Sequence, residues 1–202
     1  MRPLQPIAKL RRQAEKRNEN LDGGSPWRVL DFVLYLLLVM VVVLSIRSVA
    51  IDPVRVDGSS MLDTLEGNDI MFVDRLAYCF RTPQRGDIVI CYYPEEYYRE
   101  TGKSYNTRVK RAIAVGGDTL EAHDGVVYVN GEAIDEPYLT ASRIGFLEIA
   151  PLTVPDGCVY VLGDNRSVSI DSRNASVGPI PLCRVIGKVR GVLYPFNRVR
   201  IP

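Results

Sequence analysis

Between Val29 and Ile46 the chain runs 18 residues with a single charge, Asp31, and on to Ala50 the only addition is Arg47. A helix of about 20 apolar residues matches the hydrocarbon thickness of a bilayer, so this stretch predicts a membrane-spanning helix over residues 27–50. Past Ala50 the pattern changes to short runs of strand-forming residues bounded by turn formers. Asp69-Ile70-Met71-Phe72-Val73, Gly86-Asp87-Ile88-Val89-Ile90 and Cys158-Val159-Tyr160-Val161-Leu162 each read as strands. From 119 to 135 a strand is followed by His123-Asp124-Gly125, then Val126-Val127-Tyr128-Val129, then Asn130-Gly131. Asn-Gly is a strong hairpin signal, and a β-meander is expected there. Pro94 to Asn106, rich in Tyr, Glu, Gly and Lys, reads as an exposed loop.

Charge divides the chain at the same place. Arg2, Lys9, Arg11, Arg12, Lys16, Arg17 and Arg28 precede the apolar run. Cations before a span predict a cytoplasmic N-terminus and an exported C-terminal part. Ser48-Val49-Ala50 is also a small-x-small sequence, so cleavage after Ala50 as a signal peptide is the competing reading. A buried core helix is a third, weakened by the lack of any polar face.

The 202 residues, 47% apolar, suit one modest domain plus attachments, and the net charge of +1 gives no support to a nucleic-acid partner. Cys79, Cys91, Cys158 and Cys183 show neither paired Cys-x-x-Cys spacing nor clustered His, which argues against a zinc centre. Their spacing fixes no disulfide pairing.

A serine needs a base to become a nucleophile, usually histidine. The single histidine, His123, sits among turn formers and reads as a polar turn residue. Lysine is the alternative, provided that burial brings its pKa down toward neutrality. Of the three lysines beyond the span, Lys103 lies in Gly102-Lys103-Ser104 and Lys188 in Gly187-Lys188-Val189. Lys110 differs: in an extended segment it shares a face with Ala112 and Ala114, whose small apolar side chains favour a desolvated amine. Taken alone, the segment reads more readily as an exposed strand lysine.

The motifs taken in order decide. Val56-Asp57-Gly58-Ser59-Ser60-Met61-Leu62-Asp63-Thr64-Leu65, Arg85-Gly86-Asp87-Ile88-Val89, Val109-Lys110-Arg111-Ala112-Ile113, Gly117-Asp118, and Gly163-Asp164-Asn165-Arg166 with Ser169-Ile170-Asp171-Ser172-Arg173 follow the apolar span. This ordered set closely resembles bacterial type I signal peptidase, from the N-terminal span to about Gly187.

The resemblance implies a mostly β fold: an antiparallel β-sheet catalytic domain (51–118 and 158–202) with a smaller inserted β-hairpin region (119–157), preceded by a basic cytoplasmic tail (1–26) and one transmembrane helix (27–50). Ser60 matches the nucleophile and Lys110 the general base. Ser169 matches a second serine that orients the amine, Asp171 and Arg173 a supporting ion pair, and Arg111 the residue that follows the base. Asp164 and Arg166 read as turn residues. The N–H of Ser60 is one expected oxyanion donor, with Gly58 standing where some members carry a serine, and Val56, Asp57 and Val109 are expected at the substrate. The implied reaction is hydrolysis of secretory preproteins after small-x-small sites through an acyl-enzyme, without cofactor or metal, beside membrane lipid.

Three positions depart from the family pattern. Asp63 and Gly116 stand where prolines are common, and Asn174-Ala175-Ser176-Val177 lacks an aromatic run. Loss of proline at Asp63 predicts a looser Ser60 loop. Ten residues from Ala50 to Ser60 reach at most about 33–36 Å, so the nucleophile is expected near the membrane face. A self-cleaving Ser-Lys peptidase of the SOS-repressor type would need an internal Ala-Gly or Cys-Gly cleavage bond, and Ala-Gly is absent. A non-catalytic anchored interaction protein is the other alternative.

Overall fold

The computed structural model describes residue 12, residues 26–102 and residues 107–201. Most of the basic tail, together with Lys103 and its neighbours to 106, lies outside the described residues. Contacts divide the chain into two compact units, residues 1–48 and 49–202.

All but the last two residues of α1 (Pro26–Ala50) belong to the first unit; the helix starts at a proline, the residue best tolerated in a first helical turn, and has no glycine or proline inside it. Its 25 residues span roughly 37 Å at about 1.5 Å per residue. From Arg28 to Ser45 none of it is buried, so its large apolar side chains lie open all round.

The second unit is built on two antiparallel sheets. β1 (Ile51–Arg55), β2 (Ile70–Asp74), β3 (Ile88–Cys91), β4 (Arg108–Val115), β9 (Cys158–Leu162), β10 (Ile180–Pro181) and β11 (Val185–Tyr194) form the larger, in the order β1-β2-β11-β3-β4-β9-β10. β5 (Thr119–His123), β6 (Val126–Val129), β7 (Glu132–Ala133) and β8 (Ile149–Thr153) form the smaller, in the order β7-β6-β5-β8. The expected strands and meander are therefore present. Asp124-Gly125 and Asn130-Gly131 make both tight turns with φ of 53°, 79°, 57° and 81°, the left-handed pair that a type I′ hairpin requires.

β11 curls the main sheet by pairing with β3 through its first half and with β2 through its second, with register breaks between. Gly187 sits at one of these breaks, where a Cβ would come within 2.7 Å of the Asp74 carbonyl. One face of the curl encloses Val56, Met61, Leu65, Met71, Ile88 and Ile90. The other buries Val89, Cys91, Tyr93, Ala112 and Val161, while the small sheet packs Leu120, Val127 and Val129 against Ile113 and Leu162.

The segment expected as an exposed loop contains a helix, α2 (Glu95–Thr101), with Tyr97 and Tyr98 buried. The polar composition misled because the tyrosines pack as an edge-to-face series, Tyr93 to Tyr97 at 5.0 Å and Tyr97 to Tyr98 at 5.3 Å. Glu95 and Glu96 in the first turn and Arg99 in the last suit the helix dipole, and Gly102 closes it in the left-handed conformation. α3 (Ala141–Ile144) is a single turn. All four cysteines are free thiols.

Candidate active site

The loop after β1 presents Ser60. Its beginning is fixed by Val56, buried and bonded through both backbone groups to Asn68 and Asp69, and its end by Met61, whose carbonyl accepts from Leu65 N–H at 2.7 Å. Gly58 lies between them at φ 105°, in open space, so its backbone conformation accounts for glycine there. Asn165 holds Ser60 in place: its N–H donates to the Ser60 carbonyl and its Nδ2 to the Ser59 carbonyl, both at 3.0 Å. Gly163 packs so tightly beneath that a Cβ would lie 2.5 Å from the Ser60 carbonyl oxygen and 2.2 Å from Ser169 Oγ.

β4 supplies Lys110, opposite Val89, with only 3% of its surface exposed. Its Nζ lies 2.6 Å from Ser60 Oγ. Burial lowers its pKa from the ordinary 10.5 to about 8, and the Arg108 charge adds to this while Asp171, Cys91 and Asp164 oppose it. Among the described residues the N–H of Ser60 donates to no protein acceptor.

Arg111 turns away from this pair. Its Nε and Nη2 reach the two oxygens of Asp164 at 2.9 and 2.7 Å, its Nη1 donates to the Gly86 carbonyl, and Tyr138 stacks over it at 3.7 Å. Asp164 also accepts from Thr64 Oγ1 at 2.5 Å, so one buried carboxylate ties β4 to the serine loop. Asp164 and Arg166, expected to serve a turn, are therefore both in buried ion pairs, the second between Arg166 and Glu136 at 2.5 Å. Turn propensity reads neighbours along the chain, whereas these partners lie 53 and 30 residues away.

Asp171 and Arg173 form a bidentate pair at 2.8 and 2.9 Å, and Asp171 accepts from Gly163 N–H at 3.0 Å. Ser169 Oγ is buried without a hydrogen-bond partner, so the expected bond to the lysine amine is not formed in this arrangement. The expected looseness at Asp63 is not seen either. Its carboxylate accepts from Thr140 at 2.9 Å and lies 3.5 Å from Arg143, and Arg200 donates to the carbonyls of Asp63 and Thr64. Side-chain bonds here replace the restriction that a proline ring would impose. Gly116 sits where a Cβ would come within 3.1 Å of the 155–157 backbone, which accounts for the smallest residue. Asn174 accepts from the N–H and hydroxyl of Ser176 in a local polar turn.

A cleft of about 540 Å³ opens over the pair, walled by residues 54–61 on one side and 107–110 on the other. Val56, Val109 and Asp57 all line it. His123 stacks on Tyr128 in the small sheet, at 4.4 Å, and is half exposed. Among the described residues no group of three His, Cys, Asp or Glu could hold a metal ion. Sequence reasoning did not single out Gly163, Asn165, Thr64 or Tyr138 as site-building residues. Gly163, Asn165 and Thr64 lie inside the ordered motifs, and Tyr138 carries no local signal.

The pattern of signal peptidase, peptidase S26, matches residues 29–194. The chain belongs to this family. Signal peptidase I of Bacillus licheniformis is 35% identical over 179 residues, covering 84% of this chain and 91% of that one. Signal peptidase I T of Bacillus subtilis (strain 168) is 33% identical over 197 residues, covering 92% and 97%. A crystal structure of a signal peptidase I from Enterococcus faecalis V583, 29% identical, covers 54% of this chain and 97% of that one with a TM-score of 0.41. The chain is thus an S26 peptidase, mostly β with an N-terminal apolar helix. Of the residues named by the resemblance, Val56, Asp57, Gly58, Ser60, Val109 and Lys110 line the cleft, while Arg111, Ser169, Asp171 and Arg173 lie outside its lining.

Proposed function

We propose that this S26 peptidase is a membrane-anchored endopeptidase that removes signal peptides from secretory preproteins, with Ser60 as nucleophile and Lys110 as general base. The observation that carries the proposal is the 2.6 Å contact between Ser60 Oγ and a buried lysine whose pKa falls to about 8. An amine that is neutral for an appreciable fraction of the time near physiological pH can do what histidine usually does.

The Ser60 oxygen attacks the scissile carbonyl while Lys110 takes its proton. The Ser60 N–H, without another acceptor, stabilises the oxyanion, a contribution worth up to several kcal/mol. The ammonium then returns the proton to the departing amine, leaving an acyl-enzyme on Ser60. Water attacks next, giving its proton to the same amine; as the bond to Ser60 Oγ breaks, the ammonium returns that proton to the serine oxygen and the signal peptide leaves as a carboxylic acid. Ser169, an unpartnered buried hydroxyl beside Gly163, is the group proposed to steady the ammonium. The Arg111–Asp164 pair ties the lysine strand to the serine loop through Thr64, and the Asp171–Arg173 pair orders the 163–173 segment beneath Ser60.

Substrate binding follows from an open backbone edge. β9 pairs with β4 only from Arg111 onward, so Arg108 to Lys110 are unpaired on that side and can accept an extended peptide as an added strand. Its alternate side chains would face Val56 and Val109, a shallow apolar wall suited to small residues, with Asp57 at the rim. The basic residues before α1 favour a cytoplasmic N-terminus and an extracytoplasmic catalytic unit.

Cleavage of a preprotein bearing an Ala-x-Ala site by the detergent-solubilised chain, with the product N-terminus sequenced, tests this. A single cut after the second alanine, lost in Ser60→Ala and Lys110→Ala, is expected. A cut that survives in Lys110→Ala would remove lysine from the base role.

A further inference from the structure

We infer that Arg108 reads the middle residue of the small-x-small site, and that this peptidase prefers an acidic side chain between the two small ones. The inference rests on the proposed function and adds to it a preference set by a residue that neither the motifs nor the family assign.

Arg108 lines the cleft with Lys110, two residues away on the same face of β4. The register fixes that face. Arg108 lies opposite Cys91 and Lys110 opposite Val89, both on the outer side of the curl, whereas Val109 lies opposite Ile90 and packs with Val56 on the inner side. The Nε of Arg108 is buried and has no hydrogen-bond partner, and among the described residues its guanidinium makes no ion pair. A partly buried cation without a partner is costly, and a carboxylate that docks against it recovers a charge-assisted hydrogen bond.

A peptide added to the open edge of Arg108–Lys110 alternates its side chains between the two faces. With the small residues turned inward to Val56 and Val109, the residue between them points outward, toward Arg108. The open edge ends at Lys110, where β9 takes over, so the residues ahead of the cut lie alongside 107–109. The charged groups on the opposite wall of the cleft, Arg55 and Asp57, have opposite signs and both are exposed, so neither cancels Arg108.

Three peptides test the inference, identical except for Glu, Gln or Lys between the two alanines of the site. The full chain in detergent should cut them in the order Glu, Gln, Lys, with about a tenfold spread in kcat/KM between the ends, the size of one charge-assisted hydrogen bond. The spread should shrink in high salt. Arg108→Lys should keep the order, Arg108→Gln should flatten it and Arg108→Glu should reverse it, each judged by ratios within one variant so that a general loss of rate does not matter. Equal cutting of all three peptides by the wild type, or a Glu preference that survives in Arg108→Gln, overturns the role of Arg108 while leaving the signal peptidase reading intact. Failure of the wild type to cut any of the three would instead sink that reading, and the inference with it.

Discussion

Replacing Lys110 by methionine should stabilise the catalytic unit while abolishing its activity. The folded state lowers the lysine pKa from 10.5 to about 8. Below pH 8 both folded and unfolded chains carry the proton, and the fold bears the full burden of a buried ammonium, roughly 3 kcal/mol at about 1.4 kcal/mol for each pH unit. Between pH 8 and 10.5 the unfolded chain binds a proton that the folded one does not, so wild-type stability from this group rises with pH. Above 10.5 both forms are neutral and the difference vanishes. Methionine carries no such burden at any pH, but it strands the Ser60 hydroxyl, which loses a partner at 2.6 Å, a loss of about 1 kcal/mol. The net expectation is a variant about 2 kcal/mol more stable at pH 7 and slightly less stable above pH 10. Urea unfolding of both proteins in detergent, followed by near-UV circular dichroism of the buried tyrosines, measures this. With a slope near 2 kcal/mol/M the midpoint should move by about 1 M at pH 7. Groups remote from the site titrate alike in both proteins, so the difference between them reports Lys110 together with the neighbours coupled to it, Cys91, Asp171 and Asp164. A variant less stable than wild type at pH 7, or a difference that does not change with pH, would show that Asp171 and Asp164 hold the lysine charged at no cost, and the base assignment would lose its electrostatic support.

Three further outcomes are expected. Peptide cleavage should rise with pH and reach half its plateau near pH 8 as the amine deprotonates, and Lys110→Arg should be as inactive as Lys110→Ala because guanidinium keeps its proton; a flat profile in kcat/KM across that range counts against the mechanism. Gly163→Ala should lose activity through displacement of Ser60, since the new methyl would meet its carbonyl oxygen at 2.5 Å, and a crystal structure with Ser60 unmoved would refute this. Asp164→Asn should destabilise the unit by about 3 kcal/mol by leaving the Arg111 charge uncompensated, and adding Arg111→Met should recover much of that in chemical denaturation.

What the sequence disclosed and what it withheld divide along a physical line. Strands such as Ile70–Asp74 and Cys158–Leu162, and the Asp-Gly and Asn-Gly turns, are written in periods and dipeptides a few residues long. Ser60 and Lys110 were legible because each sits in a short motif and because histidine was scarce. The helix over Glu95–Thr101 was not, since its stability comes from tyrosines packing on Tyr93 and the 89–91 strand and not from any apolar period of its own. Asp164 was read as a turn residue because its partners, Arg111 and Thr64, stand 53 and 100 residues away.

On the proposed mechanism, the same long-range bonds account for how a lysine would serve as the base. A four-carbon side chain needs about 2 kcal/mol of rotamer freedom removed before its amine can stand at one point. β4 removes it by burying Lys110 between Val89 on one side and the 163–173 segment on the other, whose Asn165 fixes the serine backbone and whose Asp171 fixes Gly163. The serine and the lysine are thereby referred to a common scaffold instead of to each other. Burial that immobilises the amine is also what lowers its pKa, so positioning and activation are one structural act. Substitutions that loosen the 163–173 segment should therefore move the pH profile and the rate together, whereas changes confined to the cleft wall should move the rate alone.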